Sequence, residues 1–274
     1  RSSDLIQMKI IMLGTGNAGV TQYFNTCFLI NDEDRYFLVD TGGGNGLLKQ
    51  LKAVNIHLGK IKDIFITHRH TDHILGLVWV LRMLSKSARW EENFQKVNIY
   101  GNADVIKLVR TLIASFFSEK EAKGIEAGVE LIQVEDGQEA DIIGHKVRFF
   151  DIHSTKADQF GFCMELPDGG KLTCYGDEPV NENCREPLKG TTWLMHEAFC
   201  MYAQADEMRP YQKSHSTVKD ACETAESYGI GNLILYHTEE QTIGRRKELY
   251  TAEGRQFYSG NLYVPDDLEV IELR

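Results

Sequence analysis

Residues 67–73 read THRHTDH, and this segment constrains the fold and the chemistry more than any other stretch of the chain. It follows the short apolar run IKDIFIT, which predicts a buried strand. It precedes HILGLVWVLRMLSK, which predicts a largely apolar helix with Thr71 or Asp72 as its cap. Three of the nine histidines in 274 residues lie here. Such a cluster at a strand end predicts a metal site.

The spacing within this segment allows two ligand positions. His68 and His70 lie two positions apart in extended chain, so both side chains can point to one side. Asp72 and His73 lie where the helix begins and can turn toward a second point nearby. Neutral imidazoles and a carboxylate are ligands that zinc, manganese and iron take in proteins. The alternative is a polar helix cap with incidental histidines.

The composition is that of a globular protein, with 42% hydrophobic and 26% charged residues. Lysine and arginine number 30 and aspartate and glutamate 40, which gives a net charge of −10. Proteins that hold nucleic acid through many phosphates usually carry a basic surface. The acidic balance therefore argues against a large nucleic-acid footprint.

Nothing in the sequence predicts a membrane protein or an exported protein. No apolar run approaches the roughly 20 residues needed to span a bilayer, and the N-terminus lacks a signal-peptide pattern. The six cysteines include no C-x-x-C pair, which predicts reduced thiols and a cytoplasmic location. We expect Met8 to be the natural start, with residues 1–7 as an extension or a cloning remnant.

Strands and helices alternate over most of the chain, which predicts an α/β protein with residues 1–274 in one domain. TCFLIN and YFLVD flank the polar turn NDEDR and predict a hairpin, while residues 103–127 predict a long helix. Polar residues recur directly after apolar strands. Folds of this class place their chemistry at such strand ends.

The glycines Gly14, Gly16 and Gly19 match the G-x-G-x-x-G pattern of dinucleotide-binding sites. Such a site needs a helix to begin at the glycines, so that its N-terminus faces the pyrophosphate. The residues that follow, VTQYFNTCFLIN, predict a loop and a strand instead. We therefore expect a glycine turn with close backbone approach and no bound dinucleotide.

The H-x-H-x-D-H pattern after a short strand resembles the signature of the metallo-β-lactamase fold, a four-layer αββα sandwich. Three later segments, FDIHST, TCYGDE and LILYHT, supply matching polar residues at strand ends in the family's order. The resemblance implies two divalent metal ions. Zinc is the expected metal, and manganese and iron are the alternatives. One ion would be held by His68, His70 and His153, the other by Asp72, His73 and His237, and Asp177 would bridge them.

Two further segments, WLMHEAF and SHSTVKDACETA, are similar to those of the ribonuclease Z-like branch. In that branch the histidine corresponding to His215 lies beside the metals and assists the leaving oxygen, which makes Glu197 its candidate partner. Asp40, in YFLVDTGGG, would orient a ligand histidine, and His196 would likewise support the ligands without binding metal itself. Structural roles are the alternatives: His215 as a cap of the following helix, and His196 and Glu197 as residues that fix a loop.

The chain departs from the tRNA-processing members of this branch in two ways. The segment between His153 and Asp177 is too short for the arm that grips tRNA, and Glu178 stands where the family more often has threonine. We therefore expect a phosphodiesterase that uses a hydroxide shared by the metals and acts on a small or flexible substrate. The alternatives are an armless tRNA 3′-processing ribonuclease Z, a thioester or lactone hydrolase, and a non-hydrolytic metal-binding module. Relatives of this branch also suggest a homodimer.

Overall fold

Fourteen strands form two sheets in the computed structural model, which describes residues 8–87 and 95–274. The expected N-terminal extension, residues 1–7, lies outside the described residues. The strands are β1 (Lys9–Gly14), β2 (Cys27–Asp32), β3 (Arg35–Val39), β4 (Ile61–Phe65), β5 (Val97–Gly101), β6 (Val129–Gln133), β7 (Glu139–Ile142), β8 (His145–Asp151), β9 (Phe160–Glu165), β10 (Lys171–Cys174), β11 (Trp193–Glu197), β12 (Asn232–Tyr236), β13 (Asn261–Tyr263) and β14 (Val270–Glu272).

Both sheets combine antiparallel and parallel pairing. The first sheet has the order β14-β1-β2-β3-β4-β5-β6, and its strands β3 to β6 are parallel. The second sheet has the order β13-β12-β11-β10-β9-β8-β7, and its strands β10 to β13 are parallel. The predicted hairpin is confirmed as the antiparallel pair β2 and β3.

Helices cover the outer face of each sheet. The α-helices are α1 (Gly46–Ala53), α2 (Thr71–Ile74), α3 (Gly76–Ser87), α4 (Ala103–Phe116), α5 (Glu119–Gly128), α6 (Ala205–Met208), α7 (Val218–Ser227) and α8 (Arg246–Gly254). Short 3-10 turns span Leu58–Lys60, Glu182–Cys184, Glu186–Leu188, Tyr202–Gln204 and Tyr211–Lys213. No helix in the described ranges is long and apolar enough to cross a bilayer.

Three hydrophobic clusters separate four layers. The central cluster lies between the sheets, where Phe65 packs edge-on against Phe162 of the other sheet at 5.9 Å between ring centroids. A second cluster joins the first sheet to α1, α3, α4 and α5, and a third joins the second sheet to α7 and α8. Alternating side chains supply both faces of each sheet. The αββα sandwich is thereby confirmed.

Two predicted helices are each divided in the structure. The helix after the histidine segment breaks between α2 and α3, because Gly76 packs against a neighbouring loop. A Cβ at Gly76 would come within 2.0 Å of the Thr41 carbonyl oxygen. The helix predicted over 103–127 breaks at Ser118, whose side chain and Glu121 form a capping box that starts α5.

The glycine pattern near the N-terminus lies in a turn, as predicted. After β1 the chain runs through a loop into β2, and no helix begins at these glycines. A Cβ at Gly14 would lie 2.1 Å from the Asn25 carbonyl oxygen, so the close backbone approach requires glycine. The dinucleotide geometry is therefore missing at this described segment.

Candidate metal centre

The polar residues that the sequence placed after apolar strands meet at one edge of the sandwich. Asp40 follows β3, residues 67–73 follow β4, and Asp177 follows β10. Glu197 ends β11 and His237 follows β12. Since β3 and β4 are parallel, as are β10, β11 and β12, their carboxyl ends share an edge within each sheet.

Three residues that follow strands β3, β8 and β12 adopt left-handed backbone conformations. The φ angles are +56° at Asp40, +57° at His153 and +57° at His237. Non-glycine residues avoid this region because Cβ crowds the backbone, and exceptions concentrate at functional sites. In each case the sharp turn follows the end of a strand.

Asp72, His73 and His237 form a buried ligand group. Each is at most 7% exposed, and their candidate ligand atoms lie within 4.8 Å of one another. His237 Nε2 and His73 Nε2 each lie 3.3 Å from Asp72 Oδ2. Residues that follow strands of both sheets therefore meet at one point, while their role as metal ligands stays a prediction.

His68, His70 and Asp177 form an open ligand group, whose ligand atoms also lie within 4.8 Å of one another. His68 and Asp177 are buried, but His70 is only partly buried. Asp177 Oδ2 lies 3.6 Å from His68 Nε2 and 3.7 Å from His73 Nε2. Asp177 is thus close to both groups, in the position expected of a bridging carboxylate.

Asp40 contacts one ligand histidine directly and another through Thr67. His73 Nδ1 lies 2.7 Å from Asp40 Oδ2. The Thr67 hydroxyl donates to Asp40 Oδ2 at 2.8 Å and lies 2.9 Å from His68 Nδ1. A hydrogen bond at Nδ1 leaves Nε2 of both His68 and His73 toward the ligand groups. The sequence indicated Asp40 but gave no reason to single out Thr67.

His153 lies apart from both ligand groups, although it was expected to complete the open one. Its side chain is 49% exposed, and its Nδ1 lies 3.4 Å from Asp151 Oδ2. Its backbone is nevertheless beside the Asp177 loop, since Asn181 Nδ2 donates to the His153 carbonyl at 3.4 Å. Its role as a ligand stays a prediction.

His215 contacts the metal centre from the second sheet. Its ring Nδ1 donates to the Asp177 carbonyl at 2.9 Å and lies 3.5 Å from Glu197 Oε2. A ring nitrogen of His215 also lies within 4.8 Å of ligand atoms of Asp177 and His237. The predicted proximity of His215, Glu197 and the ligands is therefore present, while their catalytic roles stay predictions.

The remaining histidines have local contacts. His196 is buried and stacks on Tyr175 at 6.1 Å, with its Nδ1 2.7 Å from the Glu197 carbonyl. His57 accepts the Gly59 N–H at 3.1 Å, and His145 lies 2.9 Å from Asp32. His196 therefore adjoins Glu197 in the chain without contacting either ligand group, and its predicted supporting role is untested.

The centre favours anionic carboxylates. Burial raises the pKa of Asp72, but His73 and His237 outweigh it and hold the pKa well below its ordinary value. Burial likewise raises the pKa of Asp177, and His68, His237 and His73 again lower it further than burial raises it. Burial lowers the pKa of His68 well below its ordinary value. Burial lowers the pKa of His73 too, but Asp72 and Asp40 raise it well above its ordinary value. Metal ligation requires ionised carboxylate and neutral imidazole, so a metal at the buried group would displace a proton from His73.

Several buried atoms here have no hydrogen-bond partner among the described residues, including His73 Nε2 and Asp177 Oδ1. Buried polar groups are nearly always paired, so such atoms are expected to contact something other than protein. Divalent cations would satisfy both atoms, and imidazole with carboxylate suits zinc, manganese or iron. The residues present therefore fit metal ions.

Comparison with known proteins places the chain in a family. The family model described as Anti-Pycsar protein Apyc1 matches residues 8–244. The chain belongs to the Anti-Pycsar protein Apyc1 family. The matched residues include every member of both ligand groups, together with His153, Glu197 and His215.

Relatives of this Apyc1-family chain confirm the ribonuclease Z-like branch. Ribonuclease Z of Methanococcus aeolicus is 36% identical over 96% of this chain and 94% of its own length. The fold matches YhfI, a metallo-β-lactamase fold protein of Bacillus subtilis, with a TM-score of 0.80 at 16% identity, covering 97% of this chain and 99% of YhfI. The short form of human tRNase Z matches with a TM-score of 0.71 at 23% identity, covering 96% and 98%.

These comparisons and the ligand groups give one class of activity. The Apyc1-family chain is a metal-dependent hydrolase of the phosphodiesterase and nuclease class.

Proposed function

We propose that the chain uses two divalent metal ions to hydrolyse small or flexible phosphodiesters. Zinc is the first choice for these ions, and manganese and iron are the alternatives. The observation that carries this proposal is the meeting of two ligand groups at Asp177. One ion would be held by His68, His70 and His153, the other by Asp72, His73 and His237, and both would share Asp177. A shared carboxylate offsets the repulsion between two cations at close range.

Divalent ions held by these residues would supply Lewis-acid chemistry: they would lower the pKa of water in the site toward neutrality and stabilise charge on the phosphate. Asp72 then orients the attacking water and accepts its proton. His215, with Nδ1 committed to the Asp177 carbonyl, presents Nε2 toward the leaving oxygen. Glu197 accepts the Ser216 N–H and keeps its second oxygen 3.5 Å from His215, which supports a role in orienting that ring.

The short connection between His153 and Asp177 supports a small substrate. It consists of a loop over residues 154–159 followed by β9, a tight turn and β10, and the two strands pair along their length. A tRNA-gripping arm would need additional residues here. The net charge of −10 also argues against a broad basic surface for tRNA. Cyclic nucleotides, dinucleotides and RNA 3′ ends all meet the requirement for a small or flexible diester.

A substrate panel with elemental analysis tests the proposal. We expect the metal-loaded chain to hydrolyse bis(p-nitrophenyl) phosphate and to leave a thioester and a lactone uncleaved. Metal content should be close to two ions per chain. Thioester or lactone turnover without phosphodiesterase activity would refute the proposal, and redox-active iron without any hydrolysis would favour a non-hydrolytic module.

A tRNA 3′-processing endoribonuclease is the second candidate. The 36% identity to a protein named ribonuclease Z favours it. The missing arm and the acidic surface oppose it. Cleavage of precursor tRNA at physiological salt, at a rate above that of the chromogenic diester, would make this candidate the better one.

Three further proposals concern the protein's setting. A homodimer is supported by the exposed Trp79 and Met83 on α3, and light scattering would test it. Six free cysteines support a cytoplasmic location. A single domain over residues 1–274 would give one cooperative unfolding transition.

A further inference from the structure

Lys156 lies where three loops of the candidate metal centre meet. Its own loop begins at His153, three residues earlier in the chain. Its ammonium donates to the Lys213 carbonyl at 3.1 Å, two residues before His215. It also lies 3.6 Å from Glu178 Oε1, directly after Asp177. One cation is therefore tied to the loops that carry His153, His215 and Asp177.

Glu178 forms an ion pair with Lys156 and a hydrogen bond with the loop that carries it. The same oxygen, Oε1, accepts a hydrogen bond from Ser154 Oγ at 2.6 Å. The distance of 3.6 Å to Lys156 exceeds that of an ordinary hydrogen bond. An ammonium has three N–H donors, so Lys156 keeps capacity for another acceptor. Glu178 stands where the family more often has threonine, and its contact with Lys156 is a structural consequence of that difference.

Hydrogen bonds place Lys156 beside His215 and Asp177. The Lys156 ammonium donates to the Lys213 carbonyl, two residues before His215, and the His215 ring donates to the carbonyl of Asp177, the residue before Glu178. The Lys156 side chain is 26% exposed, so it also reaches solvent. Lys156 therefore lies at a solvent-accessible edge between the loops that carry Asp177 and His215.

A second lysine adds to the positive charge at this edge. Lys213 Nζ lies 4.9 Å from the Phe199 ring centroid, and Phe199 stacks on His215 with 4.9 Å between ring centroids. Lys156 and Lys213 are thus adjacent cations in a protein of net charge −10. Local positive charge beside a reactive centre favours an anionic substrate.

We propose that the Lys156 ammonium binds a non-bridging oxygen of the scissile phosphate and so selects an anionic phosphodiester over neutral esters. The inference rests on the proposed function and adds a specificity residue to it. A phosphodiester carries a negative charge on these oxygens, whereas a thioester or lactone carries none. A charge-assisted hydrogen bond therefore rewards only the phosphodiester.

The test compares Lys156→Met with Lys156→Arg and with Lys146→Met. Lys146 is an exposed lysine of β8 that pairs with Glu139, so its replacement matches the change in net charge. We expect Lys156→Met to raise the KM for bis(p-nitrophenyl) phosphate about tenfold, with kcat changed much less, because a charged hydrogen bond is lost in binding. Arginine should restore most of the affinity, and Lys146→Met should behave as wild type.

Inorganic phosphate provides a readout that does not depend on turnover. Calorimetry should show weaker phosphate binding to metal-loaded Lys156→Met, while neutral trimethyl phosphate should not distinguish it from wild type. An unchanged KM and phosphate affinity would overturn the inference, as would loss of metal from this variant. A wild-type chain that binds phosphate through Lys156 but cleaves no diester would refute the proposed function alone.

Discussion

The buried and open ligand groups differ in how much of the protein holds them. In the buried group His73 donates to Asp40, and all three members are almost inaccessible to solvent. In the open group His68 is supported through the Thr67 hydroxyl. The His70 ring has one hydrogen-bond partner among the described residues, the neighbouring His68 ring nitrogen at 2.9 Å. The expected fourth member, His153, faces Asp151.

This difference indicates unequal preparation for metal binding. A ligand whose second nitrogen is fixed by a carboxylate loses little freedom when a metal binds. His153, in contrast, is half exposed and must leave Asp151 before it can bind a metal. We therefore expect the buried group to bind metal more tightly than the open group.

Replacing Asp72 should give the largest effect, because this carboxylate serves both the buried group and the attacking water. We expect Asp72→Ala to lower kcat by about a thousandfold or more while circular dichroism stays that of wild type. The open group should then keep more of its metal than the buried group. Full activity of this variant would refute the mechanism.

Replacing Asp40 should act next most strongly, and on the buried group first. Asp40→Asn keeps the size of the side chain and removes the charge that orients His73. We expect about a thirtyfold loss of affinity for the first metal, which is the one bound by the buried group. Losses of this size are typical when a residue that supports a metal ligand is replaced. Zinc competition with a chromophoric chelator measures it, and an unaltered first affinity would contradict the assigned support.

Replacing His153 tests the open group alone. We expect His153→Ala to weaken binding of the second metal about tenfold and to leave the first unchanged. Asp151→Asn, which removes the charge that His153 now faces, should leave the second affinity equal to or tighter than that of wild type. Equal binding of both metals by His153→Ala and wild type would remove His153 from the ligand set.

Replacing Thr67 should give the smallest effect. Thr67→Val keeps the shape and removes the hydroxyl between Asp40 and His68. Loss of one such hydrogen bond should weaken binding to the open group about fivefold. The same zinc titration measures this affinity. A larger effect on the metal of the buried group than on that of the open group would contradict the assignment of Thr67 as a support of the open group.

The sequence predicted the positions of these residues better than their orientations. Asp177 and His237 each follow an apolar strand, and strand ends in such sheets lie along one edge, so their convergence could be inferred. The direction of the His153 side chain depends on Asp151 and on a left-handed backbone that no local pattern indicates. The break at Gly76 depends on the Thr41 carbonyl, a tertiary contact. Lys156 belongs to an exposed loop without a motif.

Zinc titration of the metal-free chain, with bis(p-nitrophenyl) phosphate hydrolysis followed at each addition, examines the shared metal centre directly. Two equivalents should bind in separate steps, the first to the buried group, and hydrolysis should appear mainly with the second. Full hydrolysis by the metal-free chain, or saturation of activity without bound metal, would contradict a reaction built on these two ligand groups.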